Sequence, residues 1–373
     1  MEKQFYEILE NILETKVDEN TNLSMENCKN WTSLAHIDII MSLEEEFEIK
    51  FNKEDLSLLK SQSALLEKIQ TLKGRKMKEN IEKLFQAIAQ KNPIHSKYLK
   101  KIEFSQEDEE EFDKLISYYI QDGISIEEQC DCYLLILNDT LEETKFFIEN
   151  GAYRYSSFDE VKDKVYFNES YMKQYMIGLA LSSFVWIAHI KVRKYFSQYL
   201  KNFTPKTTYF EIGPGHGEYF ARAVKSGKFS AFYGLDISPT SCELTQKMVK
   251  QQVGGLITKC DFLCQDFFTY DFDKKADLIV IGEVLEHVEK PLEFLKRSKE
   301  LLSDGGEIFA TIPINAPAID HIYLFSHPDE VKDLIEKSGL KLKTYECFMA
   351  NDYSLEKALK FKNAITMAVV LNA

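Results

Sequence analysis

The 373-residue sequence is poor in residues that break or cross-link a chain. It has eight prolines, two tryptophans and seven cysteines, at positions 28, 130, 132, 242, 260, 264 and 347. Cys130 and Cys132 form a C-x-C pair and Cys260 and Cys264 a C-x3-C pair, but no second pair stands at zinc-ribbon spacing. No metal is therefore expected, and the odd, scattered set reads as free thiols in a reducing compartment. Basic charge is also scarce. Lys and Arg number 46 against 60 Asp and Glu, a net charge of −14, which excludes simple electrostatic binding to nucleic acid or to an anionic membrane. Long apolar runs are absent too. The longest, Met176 to Ile190, spans about 15 residues, short of the roughly 20 a bilayer requires, and reads as one buried helix. The opening MEKQFYEILENILETK is acidic and amphipathic, unlike a signal peptide. The expectation is a cytoplasmic protein with no nucleic-acid or membrane partner.

What remains is enough for ordinary cores, with 45% hydrophobic and 13% aromatic residues. Residues 1–74 read as helices joined by polar loops, with Phe5, Ile8, Leu9 and Ile12 on one helical face. This stretch holds 15 Asp/Glu against 8 Lys/Arg, so half of the chain's excess negative charge lies in its first fifth. Lys73-Gly74-Arg75-Lys76 marks a boundary. Residues 75–160 are helical and read as a linker or cap, with an acidic run at Glu107–Glu111 taken as a solvated face. A helical lead-in, 161–205, is rich in Tyr, Phe and Trp. From residue 206 to 373 short apolar runs alternate with helical stretches (TTYFEI, AFYGLD, ADLIVIG, EIFATIP, then LKLKTYECF and AITMAVVL), the mark of a doubly wound α/β sheet.

The first of these strands runs into Glu211-Ile212-Gly213-Pro214-Gly215-His216-Gly217. A strand, a glycine-rich turn and a helix let backbone N–H groups approach a ligand closely. A dinucleotide fingerprint would place its third glycine at 218, where this chain has Glu218, a charge unwelcome beside a pyrophosphate. The second strand ends at Asp236, 23 residues after Gly213, where a carboxylate can accept from both ribose hydroxyls of a nucleoside. Asp266 and Phe267 follow the third strand, suited to an amino group and a base face. The fourth runs into Gly282-Glu283-Val284-Leu285-Glu286-His287-Val288.

E-x-G-x-G-x-G, the Asp closing strand two, the Asp-Phe after strand three and E-V-L-E-H-V after strand four together resemble the class I S-adenosylmethionine-dependent methyltransferases, over about 165 residues. The resemblance implies a Rossmann-like, seven-stranded sheet whose last two strands pair antiparallel. It implies S-adenosylmethionine as cofactor, with Glu211, Gly213, Gly215 and Gly217 toward its methionine part. Asp236 and Ile237, Asp266 and Phe267, and Glu283 would complete the site. Methyl transfer from a sulfonium needs the acceptor held in line, water excluded and, for a hydroxyl, a proton removed. Glu286-His287 and the loop carrying Asn315, Asp320 and His321 both project from strand ends. His287 and His321 are equal candidates for the base, since imidazole titrates nearest neutral pH; the plain alternative leaves each as a cap or loop residue. Tyr171, Met172, Tyr175 and Met176 form a helical stripe before the domain, either core or a lid in which Tyr171 or Tyr175 touches cofactor or substrate.

Trp31-Thr32-Ser33-Leu34, followed by an apolar-faced helix ending in Leu43-Glu44-Glu45-Glu46-Phe47, is similar to the central helix of acyl carrier proteins, over roughly residues 3–72. The similarity implies a small all-α bundle with 4′-phosphopantetheine on Ser33, although Thr32 stands where the family usually has Asp. A serine at a helix N-terminus suits an attached phosphodiester, and an acidic face suits docking by a phosphopantetheinyl transferase and biosynthetic enzymes. The plain alternative makes Ser33 an N-cap. The combined expectation is a multi-domain carrier–methyltransferase of polyketide, fatty-acyl or nonribosomal-peptide type, methylating oxygen, or next carbon, of a tethered acyl or aminoacyl thioester. Two rivals remain: a methyltransferase for a free small molecule with a docking module, and a non-catalytic cofactor-binding scaffold.

Overall fold

The structure is a computed structural model that describes residues 1–52, 55–74, 77–254 and 259–373. The chain divides into two compact units, Met1–Glu79 with Glu103–Ser105, and Asn80–Ile102 with Gln106–Ala373. Of the boundary read at residues 73–76, Arg75 and Lys76 lie outside the described residues.

The first unit contains α1 (Glu2–Leu13), α2 (Ser33–Phe47) and α3 (Gln62–Gly74). Phe5, Leu9 and Leu13 recur every four residues on α1 and meet Ile39, Leu43 and Phe47 of α2 and Leu65 and Ile69 of α3 in one apolar cluster. The α2 cap is Thr32, not Ser33: the Thr32 hydroxyl accepts from the Ala35 N–H at 3.2 Å. Ser33 is thus the first helical residue, and it is exposed. Leu34, Ile37 and Met41, at helical spacing on the same helix, are more than half exposed.

The second unit opens with seven helices: α4 (Glu79–Lys91), α5 (Pro93–Leu99), α6 (Gln106–Gln121), α7 (Ile126–Asn150), α8 (Phe158–Val161), α9 (Glu169–Val185) and α10 (Ile187–Asn202). The helices of residues 80–160 share this unit with the sheet. The acidic run at Glu107–Glu111 is not a solvated face. Asp108 and Glu109 are buried, and Arg193 of α10 pairs with Asp108 at 2.5 Å and with Glu111 at 3.0 Å. The expected single helix over Met176–Ile190 is two, α9 and α10, bent by 79°. Trp186 leaves the helical conformation at the corner, and its indole N–H donates to the Tyr133 hydroxyl at 3.1 Å. Among the described residues no single helix is long and apolar enough to cross a membrane; α9 and α10 pass that test only as a bent pair.

The sheet comprises β1 (Thr208–Ile212), β2 (Ala231–Asp236), β3 (Cys260–Cys264), β4 (Ala276–Gly282), β5 (Leu302–Ile314), β6 (Lys341–Met349) and β7 (Ile365–Asn372), in the order β3-β2-β1-β4-β5-β7-β6. The five strands from β3 to β5 in that order run parallel, and β7 pairs antiparallel with both β5 and β6. The central strands read as near-continuous apolar runs because helices cover both faces. The edge strand β6 is mostly exposed and carries Lys341, Lys343 and Glu346, charges that discourage edge pairing. The remaining helices, α11 (Glu218–Lys225), α12 (Pro239–Val253), α13 (Pro291–Leu301), α14 (Pro328–Ser338) and α15 (Leu355–Lys360), connect the strands. Strand order reverses at β1, between β2 and β4, which opens a crevice at the carboxyl ends of these strands.

Candidate active site

A cavity of about 1320 Å³ occupies that crevice. One end is made of backbone. Gly213 has φ of +63°, and a Cβ there would stand 2.8 Å from Val284 Cγ2, so glycine is required where β1 turns beside the loop after β4. Gly217 is also left-handed, at +78°, but its task is packing: a Cβ would stand 2.9 Å from Val249 Cγ2 on α12. Glu211, Gly213, Gly215, Asp236, Ile237, Asp266, Phe267 and Glu283 line the cavity, and Gly217 does not.

The carboxylates at this end are held in place. Asp236 accepts from the Ser238 N–H at 2.9 Å and the Ser241 hydroxyl at 2.7 Å, while burial raises its pKa above the usual range. Burial pushes the Glu211 carboxyl up to about 8, opposed by a hydrogen bond from the Tyr209 hydroxyl. Burial likewise lifts Glu283 to about 7. At the start of α11, Glu218 is buried too, yet Arg222, bonded to it at 2.6 Å, and Arg193 bring it below its ordinary value.

The other end is made of side chains from distant segments. His287, in a 3-10 turn after β4, and Asp320 and His321, in the loop after β5, come together. The two imidazoles cross nearly perpendicular with centroids 4.8 Å apart. Asp320 accepts from the Tyr166 hydroxyl at 3.1 Å and from the Tyr175 hydroxyl at 3.1 Å. His287 Nδ1 lies 2.9 Å from the Tyr166 oxygen and 3.0 Å from the Asp320 carbonyl. His321 Nδ1 lies 2.6 Å from the Ala316 carbonyl. A carbonyl can only accept, so each Nδ1 carries a proton, and in the neutral ring Nε2 is the nitrogen with the free lone pair. Burial, with His287 beside it, lowers His321 to about 3 and keeps it neutral. Burial raises Tyr166 and Tyr175 far above the usual phenol range, so both remain donors. Glu286 is fully buried behind the histidines, with Oε1 3.4 Å from His287 Nε2 and 3.8 Å from His321 Nε2. Burial raises its pKa strongly.

A family model described as "Methyltransferase domain" matches residues 210–308. Over these residues the chain is similar to that family. The match takes in the glycine turn, Asp236, Asp266 and Glu283–His287, and stops before Asp320 and His321. The ubiquinone biosynthesis O-methyltransferase of Coxiella burnetii (strain Dugway 5J108-111) is 27% identical over 152 residues, 35% of this chain; the chain thus spans 62% of that relative's length. Among solved structures, the mitomycin 7-O-methyltransferase MmcR is similar over 66% of this chain and 70% of its own, at 14% identity and TM-score 0.45. The N-methyltransferase NodS from Bradyrhizobium japonicum WM9 is similar over 49% of this chain and 87% of its own, at 13% identity and TM-score 0.39.

Most residues read from the sequence for the cofactor and for proton transfer meet at this cavity, with four exceptions. Tyr171 donates to Asp139 of α7 at 2.5 Å, and the cavity wall is taken by Tyr175 instead. Gly217 serves the α11–α12 packing. Glu286 stands behind the wall rather than in it. Asn315 is a brace, its amide donating to the Ser326 carbonyl at 3.0 Å across the loop after β5. Sequence reasoning missed Tyr166 as the central hydroxyl, and it missed the wall supplied by Ile94, Tyr98, Leu137 and Leu141 from α5 and α7. The tyrosine-rich stretch from Tyr153 to Tyr175 was the available signal.

Proposed function

We propose that the chain is an S-adenosylmethionine-dependent methyltransferase that acts on oxygen, with carbon as the next acceptor. One observation carries the reading: a single cavity joins the glycine-turn carboxylates to the Asp320–His287–His321 cluster. The glycine turn and Glu211 would hold the methionine part, Asp236 the ribose, and Asp266 and Phe267 the adenine. The residues fit that cofactor, since ionising the buried Glu211 and Glu283 carboxyls is favoured beside a sulfonium cation and disfavoured beside a phosphate. His287, at the cavity wall with a bare Nε2, takes the acceptor proton. Asp320, fixed by two tyrosine hydroxyls, positions the cluster and is not itself free to move. The α5, α7 and α9 side chains make the acceptor side apolar and exclude water. The O-methyltransferase of the Coxiella relative supports oxygen as the acceptor. Calorimetry with S-adenosylmethionine, followed by transfer of a labelled methyl group to phenol- and acyl-type acceptors, tests the reading; absence of cofactor binding rejects it.

A carrier role for the first unit rests on a separate observation. Thr32 supplies the α2 cap, which leaves the Ser33 hydroxyl exposed at the helix start beside the apolar row Leu34, Ile37 and Met41. Phosphopantetheine on Ser33 would then present an acyl or aminoacyl thioester as acceptor, and tethering would replace diffusion by a high effective concentration. Incubation with coenzyme A and a broad-specificity phosphopantetheinyl transferase, read by intact mass beside Ser33→Ala, decides it. If neither protein gains mass, the acceptor is free and the first unit is a docking module.

A further inference from the structure

We propose that Glu286, His287 and His321 bind one divalent first-row transition-metal ion, with the open side of the ion facing the cavity. Their ligand atoms all lie within 4.8 Å of one another. Three acceptors face each other there. Both imidazoles commit Nδ1–H to backbone carbonyls, Asp320 for His287 and Ala316 for His321, and so aim bare Nε2 lone pairs inward. Metal-ligating histidines are oriented in this way, the second nitrogen donating to a carbonyl or carboxylate. Between the two Nε2 atoms stands Glu286, fully buried, with no hydrogen-bond partner on either carboxylate oxygen. A buried carboxyl left unpartnered beside two lone pairs is costly unless a cation or proton sits among them.

The distances suit a cation. Bonds of about 2.0–2.2 Å in a tetrahedral site put ligand atoms roughly 3.4 Å apart, and Glu286 Oε1 already stands 3.4 and 3.8 Å from the two nitrogens. Two imidazoles and one carboxylate match the donor set of catalytic sites that keep a position open. His287 and His321 line the cavity while Glu286 does not, which sets the open side toward the acceptor. Glu283, three residues before Glu286, has its Oε1 buried and unpartnered as well. With the ion bound, His287 Nε2 is a ligand and no longer the base, so an acceptor hydroxyl would coordinate at the open position, where the ion lowers its pKa and lets it lose its proton to solvent; this last step rests on the methyl-transfer reading and replaces His287 as its base, whereas the site itself does not rest on it.

The test is titration of chelator-treated, full-length protein with Co²⁺ alone, followed by visible absorption. One equivalent should bind and give d–d bands without a thiolate charge-transfer band, which separates the site from the seven cysteines. Glu286→Gln and His321→Ala should each weaken binding at least about 100-fold, on the scale seen when ligand-shell residues are lost. His327→Ala, at the exposed start of α14, should leave it unchanged. Circular dichroism melts identify any variant that has not folded, and the other variant then carries the comparison. No cobalt bound by the wild type, a thiolate band, or equal binding by both variants overturns the proposal. Because no cofactor or acceptor is present, such a failure leaves methyl transfer with His287 as base intact; failure to bind S-adenosylmethionine would in turn leave the metal site standing.

Discussion

The two ends of the cavity are built in different ways. At the glycine-turn end, each lining residue sits at the tip of a strand or in the turn after it, and the geometry belongs to the backbone: a left-handed Gly213, a strand ending at Asp236, a turn at Asp266. At the histidine end nothing is local. Tyr166 and Tyr175 come from the helical lead-in, His287 from the turn after β4, and Asp320 with His321 from the loop after β5. Side-chain hydrogen bonds hold that end together. A site defined by backbone tolerates most side-chain changes outside its glycines. One defined by a hydrogen-bonded cluster loses its function when a single member is removed.

That contrast is broken or sharpened first at His287. His287→Ala should lower kcat by about 10²–10⁴-fold, the usual contribution of a positioned base, while the affinity for S-adenosylmethionine changes less than about twofold. A parallel loss of cofactor affinity would show that the two ends are not separable. The next effect falls on the wall. Arg193 is 3% exposed and neutralises Asp108 between α6 and α10, beside Arg222 on Glu111. Arg193→Ala leaves Asp108 buried without its main partner and should cost about 3–5 kcal/mol of stability, read as a fall in the urea midpoint at unchanged slope. A loss below about 1 kcal/mol would mean that the remaining contacts of Asp108, Lys194 at 2.9 Å among them, suffice to hold it.

This difference also explains what could be read from sequence. The alternation of apolar runs and helices marked the strands, because a strand buried on both faces must be apolar along its length, whereas the antiparallel β7 was expected from the family resemblance alone. The glycine turn was legible because strand, turn and helix follow one another within a few residues, although the side chains that demand glycine, Val284 and Val249, are distant in sequence. His287, Asp320 and His321 were each visible as strand-end polar residues, but not the tyrosine hydroxyls that join them, since a pairing between Tyr166 and Asp320 leaves no periodic trace. The acidic run at Glu107–Glu111 misled for the same reason: charge looks solvated until its partner, Arg193, 82 or more residues away, is brought to it. Met176–Ile190 read as one helix because apolar content does not mark the corner that Trp186 makes.

A smaller effect is expected at the turn itself. Gly213→Ala places a Cβ against Val284 and holds a side chain in the left-handed region, which costs about 1–2 kcal/mol. Cofactor affinity should fall about 5- to 30-fold, with kcat at saturating cofactor nearly unchanged. A collapse of kcat instead would mean that Val284, one residue after Glu283 and three before His287, transmits the strain to the histidine end.

The smallest signal is a proton. Burial holds Glu211 near 8, against an ordinary value of 4.5, so it is protonated in the folded protein at pH 7 and ionised in the unfolded chain. Its contribution to stability is complete below about pH 4.5 and is lost as pH rises toward 8. A cationic cofactor beside it favours the ionised form, so binding at pH 7 should release up to one proton. Calorimetry in two buffers of different ionisation enthalpy measures that release. It should shrink at pH 9, where Glu211 is already ionised, and vanish in Glu211→Gln. Release that survives the substitution would have to come from Glu283, held up to about 7 on the other side of the turn. The cofactor's positive charge would then sit closer to the histidine end than to the glycines.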